Sequence, residues 1–83
     1  MDVQEQNTQK LYATVAKVVG VDPTTLTDVS SSDTVVGWDS FAGLMIVSEI
    51  EQAFGIQFSL SELTHTKSIG EIKEQLRLHN IDV

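Results

Sequence analysis

The chain has no cysteine, which excludes disulfides and thiolate metal sites. It has one proline, Pro23, and no run of 18 apolar residues, so no membrane-spanning segment is expected. The first ten residues are polar and lack the apolar stretch of a secretory leader, which makes a cytoplasmic location the expectation. Most telling is a local absence: residues 21–60 contain no Lys or Arg. The same segment holds Asp22, Asp28, Asp33, Asp39, Glu49 and Glu51, and so carries nearly all of the net charge of −7. Such a field repels nucleic acid and anionic membranes and attracts basic protein surfaces. Plain solubility is the bland alternative, but the uneven distribution points to a partner-facing surface.

What is present is enough for one thin core. A chain of 83 residues, 41% apolar, reads as a single domain over 1–83. A first helix is expected over Val3–Val19. Asp2 and Glu5 have capping-box spacing, Leu11, Val15, Val18 and Val19 form the apolar stripe, and Gly20 stands at the end. Residues 21–37 form a long connection. Asp22-Pro23 forbids helix, and seven Ser and Thr residues favour turns. Val21, Leu26, Val29, Val35 and Val36 are its expected core anchors. A second helix is expected over Ser40–Phe54, the most buried of the set, with Phe41, Leu44, Val47, Ile50 and Phe54 at 3-and-4 spacing. Gly43 inside it costs roughly 1 kcal/mol against Ala, which predicts a close approach there. Ser59–Glu62 and Ser68–Glu71 are two further capping boxes. They predict a short helix over Leu60–His65 and a last one over Ile69–Leu78. In the last helix Ile69, Ile72 and Leu76 should face inward, and Lys73, Glu74 and Arg77 outward. No segment alternates like a strand, so the fold is all-α.

The residues able to do chemistry are few. Ser40 has Trp38 and Ala42 where a nucleophile elbow needs glycines, and no base is placed beside it, which argues against a hydrolase. His65 and His79 are 14 residues apart with no further ligand and read as solvated. No metal site is expected. Two readings of Asp39-Ser40 remain open from spacing alone. The pair is a helix cap and nothing more, or Ser40 is a covalent acceptor whose attached phosphate would lie at a helix N-terminus.

The residues also match a known pattern. Asp39-Ser40-Phe41, Ile46-Val47 and Ile50-Glu51-Gln52-Ala53-Phe54-Gly55-Ile56 resemble the acyl carrier protein signature, Asp-Ser-Leu followed by Leu-Glu-x-x-Phe-Gly-Ile. Val19-Gly20-Val21-Asp22-Pro23 resembles the family's end of its first helix. Val36-Gly37 resembles the Leu-Gly before its Asp-Ser, and Ser68-Ile69-Gly70-Glu71 resembles the opening of its last helix. The likeness spans about residues 10–78. It implies a four-helix bundle of acyl-carrier type, with a long loop between the first two helices and a short third helix. It implies a non-enzymatic monomer, with 4′-phosphopantetheine on Ser40, Asp39 as the adjoining cap, and an acyl or related carboxylic group held as a thioester. The implied partners are a phosphopantetheinyl transferase and the enzymes that load and transfer the acyl group.

This chain departs from the pattern where the family is usually acidic. Ala42, Gly43 and Met45 open the second helix, and its charges come later. The expected partner face is therefore Phe41, Met45, Glu49 and Glu51, more apolar and more selective than in a fatty-acid carrier. Trp38-Asp39-Ser40 resembles stand-alone carriers of specialised pathways. An aminoacyl or peptidyl carrier fits less well, because Gly37-Trp38 stands where that type has Gly-Gly. An unmodified acidic interaction module is the other alternative. Phe41, Phe54 and Phe58 are expected to fill the space between helices, which implies a short or exposed cargo.

Overall fold

The computed structural model describes residues 2–83. Each helix begins where a short polar side chain can take a free amide. Asp2 accepts from the Glu5 N–H at 2.7 Å and opens α1, Val3–Val19. Asp39 accepts from the Ala42 N–H at 2.8 Å and opens α2, Ser40–Phe54. At Ser59 the reciprocal capping box is complete and opens α3, Leu60–Leu63. Ser68 opens α4, Ile69–Leu78, but Glu71 reaches one residue beyond the box and accepts from the Lys67 N–H. Gly20 and Gly55 end α1 and α2 in the left-handed conformation. α3 stops at Leu63, two residues short of the expected His65. Thr64 caps it, and the His65 N–H closes the turn on the Glu62 carbonyl. The described residues contain no strand, only an isolated bridge between Ser31 and Ser68.

The core joins three helical stripes: Leu11, Val15 and Val19 from α1, Ala42, Ile46 and Ile50 from α2, and Ile69, Ile72 and Leu76 from α4. The inward face of α2 differs from the expected one. This helix is apolar on nearly every side, so 3-and-4 spacing admits more than one stripe. The stripe that packs runs through Ala42, Ile46 and Ile50, and it leaves Phe41 and Leu44 each 70% exposed. Phe41 therefore does not fill the bundle; Phe58 does, and Phe54 packs at the margin.

The long connection folds as successive turns. A 3₁₀ turn, Pro23–Thr25, is capped by Asp22, and Leu26 seats in the core. The Asp28 and Ser30 carbonyls then accept from the Gly70 and Ile69 N–H groups at 2.8 and 3.0 Å. The loop backbone thus satisfies the first amides of α4. Val29, between those carbonyls, points to solvent, as does Val36 at the tip of the next turn. Neither anchors the loop.

Two polar residues expected in water are instead engaged. Lys73 is nearly buried: its ammonium lies 2.9 Å from Asp28 Oδ1 and over the Tyr12 ring. Its stem packs along the bundle while its head finds a partner. His79 meets Glu62 Oε2 at 2.7 Å and packs edge-on to Phe58, tying the end of α4 to α3. His65 is exposed, as expected.

The Tyr12 hydroxyl donates to Asp28, so Asp28 links α1, the loop and α4. Burial, and then that bond to a carboxylate, push the Tyr12 hydroxyl up to about 12. The Asp28 carboxyl is held below its ordinary value, first by the Tyr12 donor and then by Lys73. A lowered carboxylate pKa contributes stability that is present above its unfolded value, about 4, and is lost as pH falls. A raised tyrosine pKa contributes stability that is present below its unfolded value, about 10, and is lost as pH rises toward the folded one. The melting temperature should therefore decline on both flanks of a plateau between about pH 4 and pH 10. Asp28→Asn should lower the plateau by about 1 kcal/mol and shrink both flanks, read by thermal melts from pH 2.5 to 11. Unchanged flanks in Asp28→Asn would assign the pH dependence elsewhere.

Candidate functional site

The start of α2 is fixed from behind. Gly37 sits so close to the end of α1 that a Cβ there would lie 2.3 Å from the Val19 carbonyl oxygen. The Trp38 N–H then bonds the Val35 carbonyl, and the indole turns inward, leaving the residue 3% exposed. Two residues later the chain has turned, and Ser40 is exposed on the first turn of α2. Burial of Trp38 and display of Ser40 are consequences of the same bend.

The amides of that first turn are only partly used. The Asp39 carboxylate takes the Ala42 N–H, and the Asp39 carbonyl takes the Gly43 N–H. Among the described residues, the N–H groups of Ser40 and Phe41 have no acceptor. α4 contrasts with this: Ile69, Gly70 and Glu71 all donate to the loop or to Ser68. The Ser40 hydroxyl therefore stands beside two free donors at the positive end of a 15-residue helix.

An open groove of about 570 Å³ adjoins Ser40. Trp38, Gly43, Leu44 and Val47 line one side, and Leu63, Thr66 and Lys67 lie across from them. Ser32, Asp33 and Asp39 complete the rim. A Cβ at Gly43 would lie 3.8 Å from Trp38 Nε1, an ordinary contact. No close approach requires glycine there, contrary to the sequence expectation.

The other singled-out residues spread along α2. Phe41, Leu44 and Met45 form an exposed apolar strip. Glu49 is half-buried and 3.7 Å from the Lys17 ammonium, a weak surface pair. Glu51 turns inward, where its Oε2 accepts from the Phe58 N–H at 2.8 Å and pins the chain after α2. No described group of His, Asp and Glu could hold a metal ion, and no described helix is long and apolar enough to cross a membrane. Neither His65 nor His79 lines the groove. Trp38 and the groove were missed at the sequence level. The available signal was the Gly37-Trp38 pair, a residue without a side chain followed by the largest one.

Gly37 and Gly43 should respond oppositely to the same change. Gly37→Ala forces the α1–α2 contact apart and should cost about 1–3 kcal/mol. Gly43→Ala should gain up to about 1 kcal/mol, since the helix improves and no atom clashes. Urea denaturation of the two variants checks the sign, and equal effects would contradict the packing described.

A family model described as "Phosphopantetheine attachment site" matches residues 9–76. No curated protein matches the chain at a significant level.

Proposed function

The chain belongs to the phosphopantetheine attachment-site family, and on that premise we propose that Ser40 is the residue to which the arm is joined. The domain is a carrier for covalently bound 4′-phosphopantetheine. When bound, that group supplies the thiol that this cysteine-free chain lacks and holds a carboxylic group as a thioester. The observation that carries the choice of Ser40 is its exposed hydroxyl on the first turn of α2, beside the unpaired amides of Ser40 and Phe41. Those donors suit a phosphate ester on that oxygen. Asp39 fixes the turn and, with its carboxylate engaged by the Ala42 N–H, holds Ser40 outward. The groove beside Ser40 is roomy enough to receive part of the arm.

In this reading the protein is not itself catalytic. A phosphopantetheinyl transferase loads Ser40 from coenzyme A, and partner enzymes charge and discharge the thiol. The partners dock on the outer face of α2, where Phe41 and Met45, joined by Leu44, present apolar surface. Glu49 adds charge at the edge of that face, since its pair with Lys17 is long and easily exchanged. Glu51 contributes to the field but not to contact, because Phe58 holds its carboxylate. We assign the cargo to the acyl or related carboxylic class, short or exposed. The core stripes are filled by Leu11, Ile46, Ile50, Ile72 and Leu76, each fully buried, and the groove is open to water. A cytoplasmic monomer of a specialised pathway is the setting we propose.

Incubation with coenzyme A and a broad-specificity transferase should add the mass of one phosphopantetheinyl group, and Ser40→Ala should remain unmodified. A gain that persists in Ser40→Ala would move the attachment elsewhere. No gain in the parent chain would favour the unmodified interaction module. Met45→Glu should slow acyl transfer by a partner enzyme by about tenfold or more while leaving the melting temperature nearly unchanged. Equal transfer rates would remove α2's apolar strip from the docking face.

A further inference from the structure

Trp38 carries a donor that the fold does not use. The residue is 97% removed from water, yet its indole Nε1–H has no acceptor among the described residues. Among the described residues no fully buried side-chain nitrogen or oxygen lacks a partner, so Nε1 belongs to the small part of Trp38 that still meets solvent. Its position identifies where. Nε1 lies 3.8 Å from the place a Gly43 Cβ would occupy, and Trp38 and Gly43 both line the groove beside Ser40. A buried tryptophan normally finds a partner for this N–H. The groove that Trp38 and Gly43 line also presents Leu44, Val47 and Leu63.

Its reach matches the arm. Ser40 and Gly43 are neighbours one turn apart on α2, about 5–6 Å between Cβ positions. The indole N–H is thus within roughly 10 Å of the Ser40 side chain. Phosphopantetheine carries two amides in line beyond its phosphate, each with a carbonyl acceptor and flanked by aliphatic carbon. An unpartnered donor in a groove that also presents Leu44, Val47 and Leu63 is complementary to such a carbonyl and its aliphatic flanks. We propose that the Trp38 indole N–H donates a hydrogen bond to an amide carbonyl of the phosphopantetheine arm, laying the arm's first part in the groove between α2 and the α3–α4 connection. Trp38 is then a positioning residue: it sets the direction in which the thiol leaves the protein.

The inference rests on Ser40 as the attachment point, so the modified protein is first verified by intact mass. Trp38 is the chain's single tryptophan, and its indole gives one ¹H–¹⁵N resonance. Conversion from the unmodified to the modified protein should move that resonance downfield in the proton dimension. Its exchange with water should slow by about two- to tenfold, the span of one neutral hydrogen bond's net stabilisation. In modified Trp38→Phe, the amide resonances of an isotope-labelled arm should shift toward those of free phosphopantetheine. Gly43→Val keeps the tryptophan but covers its N–H, and should do the same, which guards against a Trp38→Phe that fails to fold. An indole resonance unmoved by modification overturns the proposal. So does one that moves only after an acyl group is loaded, since the acceptor would then be the cargo. A protein that gains no mass on treatment fails at Ser40, and the parent reading falls with it.

Discussion

The approach of Gly37 to the Val19 carbonyl is the constraint on which the rest depends. Any side chain at position 37 would overlap the end of α1, so only glycine lets the connection pass this close. That passage decides where α2 begins, and the α1–α2 pairing supplies two of the three core stripes. It also sends the next residue, Trp38, into the interior, where the largest side chain closes the gap beneath the bend. Ser40 is then exposed because the residues before it are not.

The long connection is held at its other end by hydrogen bonds and charge. The carbonyls of Asp28 and Ser30 cap α4, and the Asp28 side chain collects the Tyr12 hydroxyl and the Lys73 ammonium. A loop rich in Ser and Thr becomes structural in this way, with Leu26 as its deep apolar anchor. The two long helices that begin near this loop are left in opposite states. The first amides of α4 are satisfied by protein, while the amides of Ser40 and Phe41 in α2 have no acceptor among the described residues. One end is closed and the other is available, and the difference comes from where the loop spends its carbonyls.

The bounds of α1, α2 and α4 were legible because each is marked by a polar cap before it, and α1 and α2 also by a glycine after them. These signals act within four residues and need no tertiary knowledge. The inward face of α2 was not legible. Its apolar residues surround the axis, and only the partners on α1 and α4 choose among the possible stripes. Lys73 and His79 were misread for a related reason: polarity predicts exposure, but Asp28 and Glu62, distant in sequence, supply the compensation that lets them leave water. Val29 and Val36 erred the other way. Apolar character made them anchors, and the loop's hydrogen bonding turned them out. Asp39 as the cap of α2 was readable from its spacing, whereas the groove beside Ser40 forms from three separate segments and has no local sequence signature.

Gly43 brings these strands together. A glycine in the middle of the first turns of α2 weakens the helix, and no steric contact demands it, since a methyl group would meet Trp38 Nε1 at ordinary distance. What a side chain would do is cover the indole N–H. Glycine at 43 leaves that N–H uncovered at a small cost in helix stability. The same two turns of α2 present three distinct faces. Ala42 and Ile46 seal the core, Phe41 and Met45 face outward, and Gly43 with Trp38 leaves a polar point open beside Ser40. A helix apolar on nearly every side thus buries one stripe in the core and leaves Phe41, Leu44 and Met45 exposed on another.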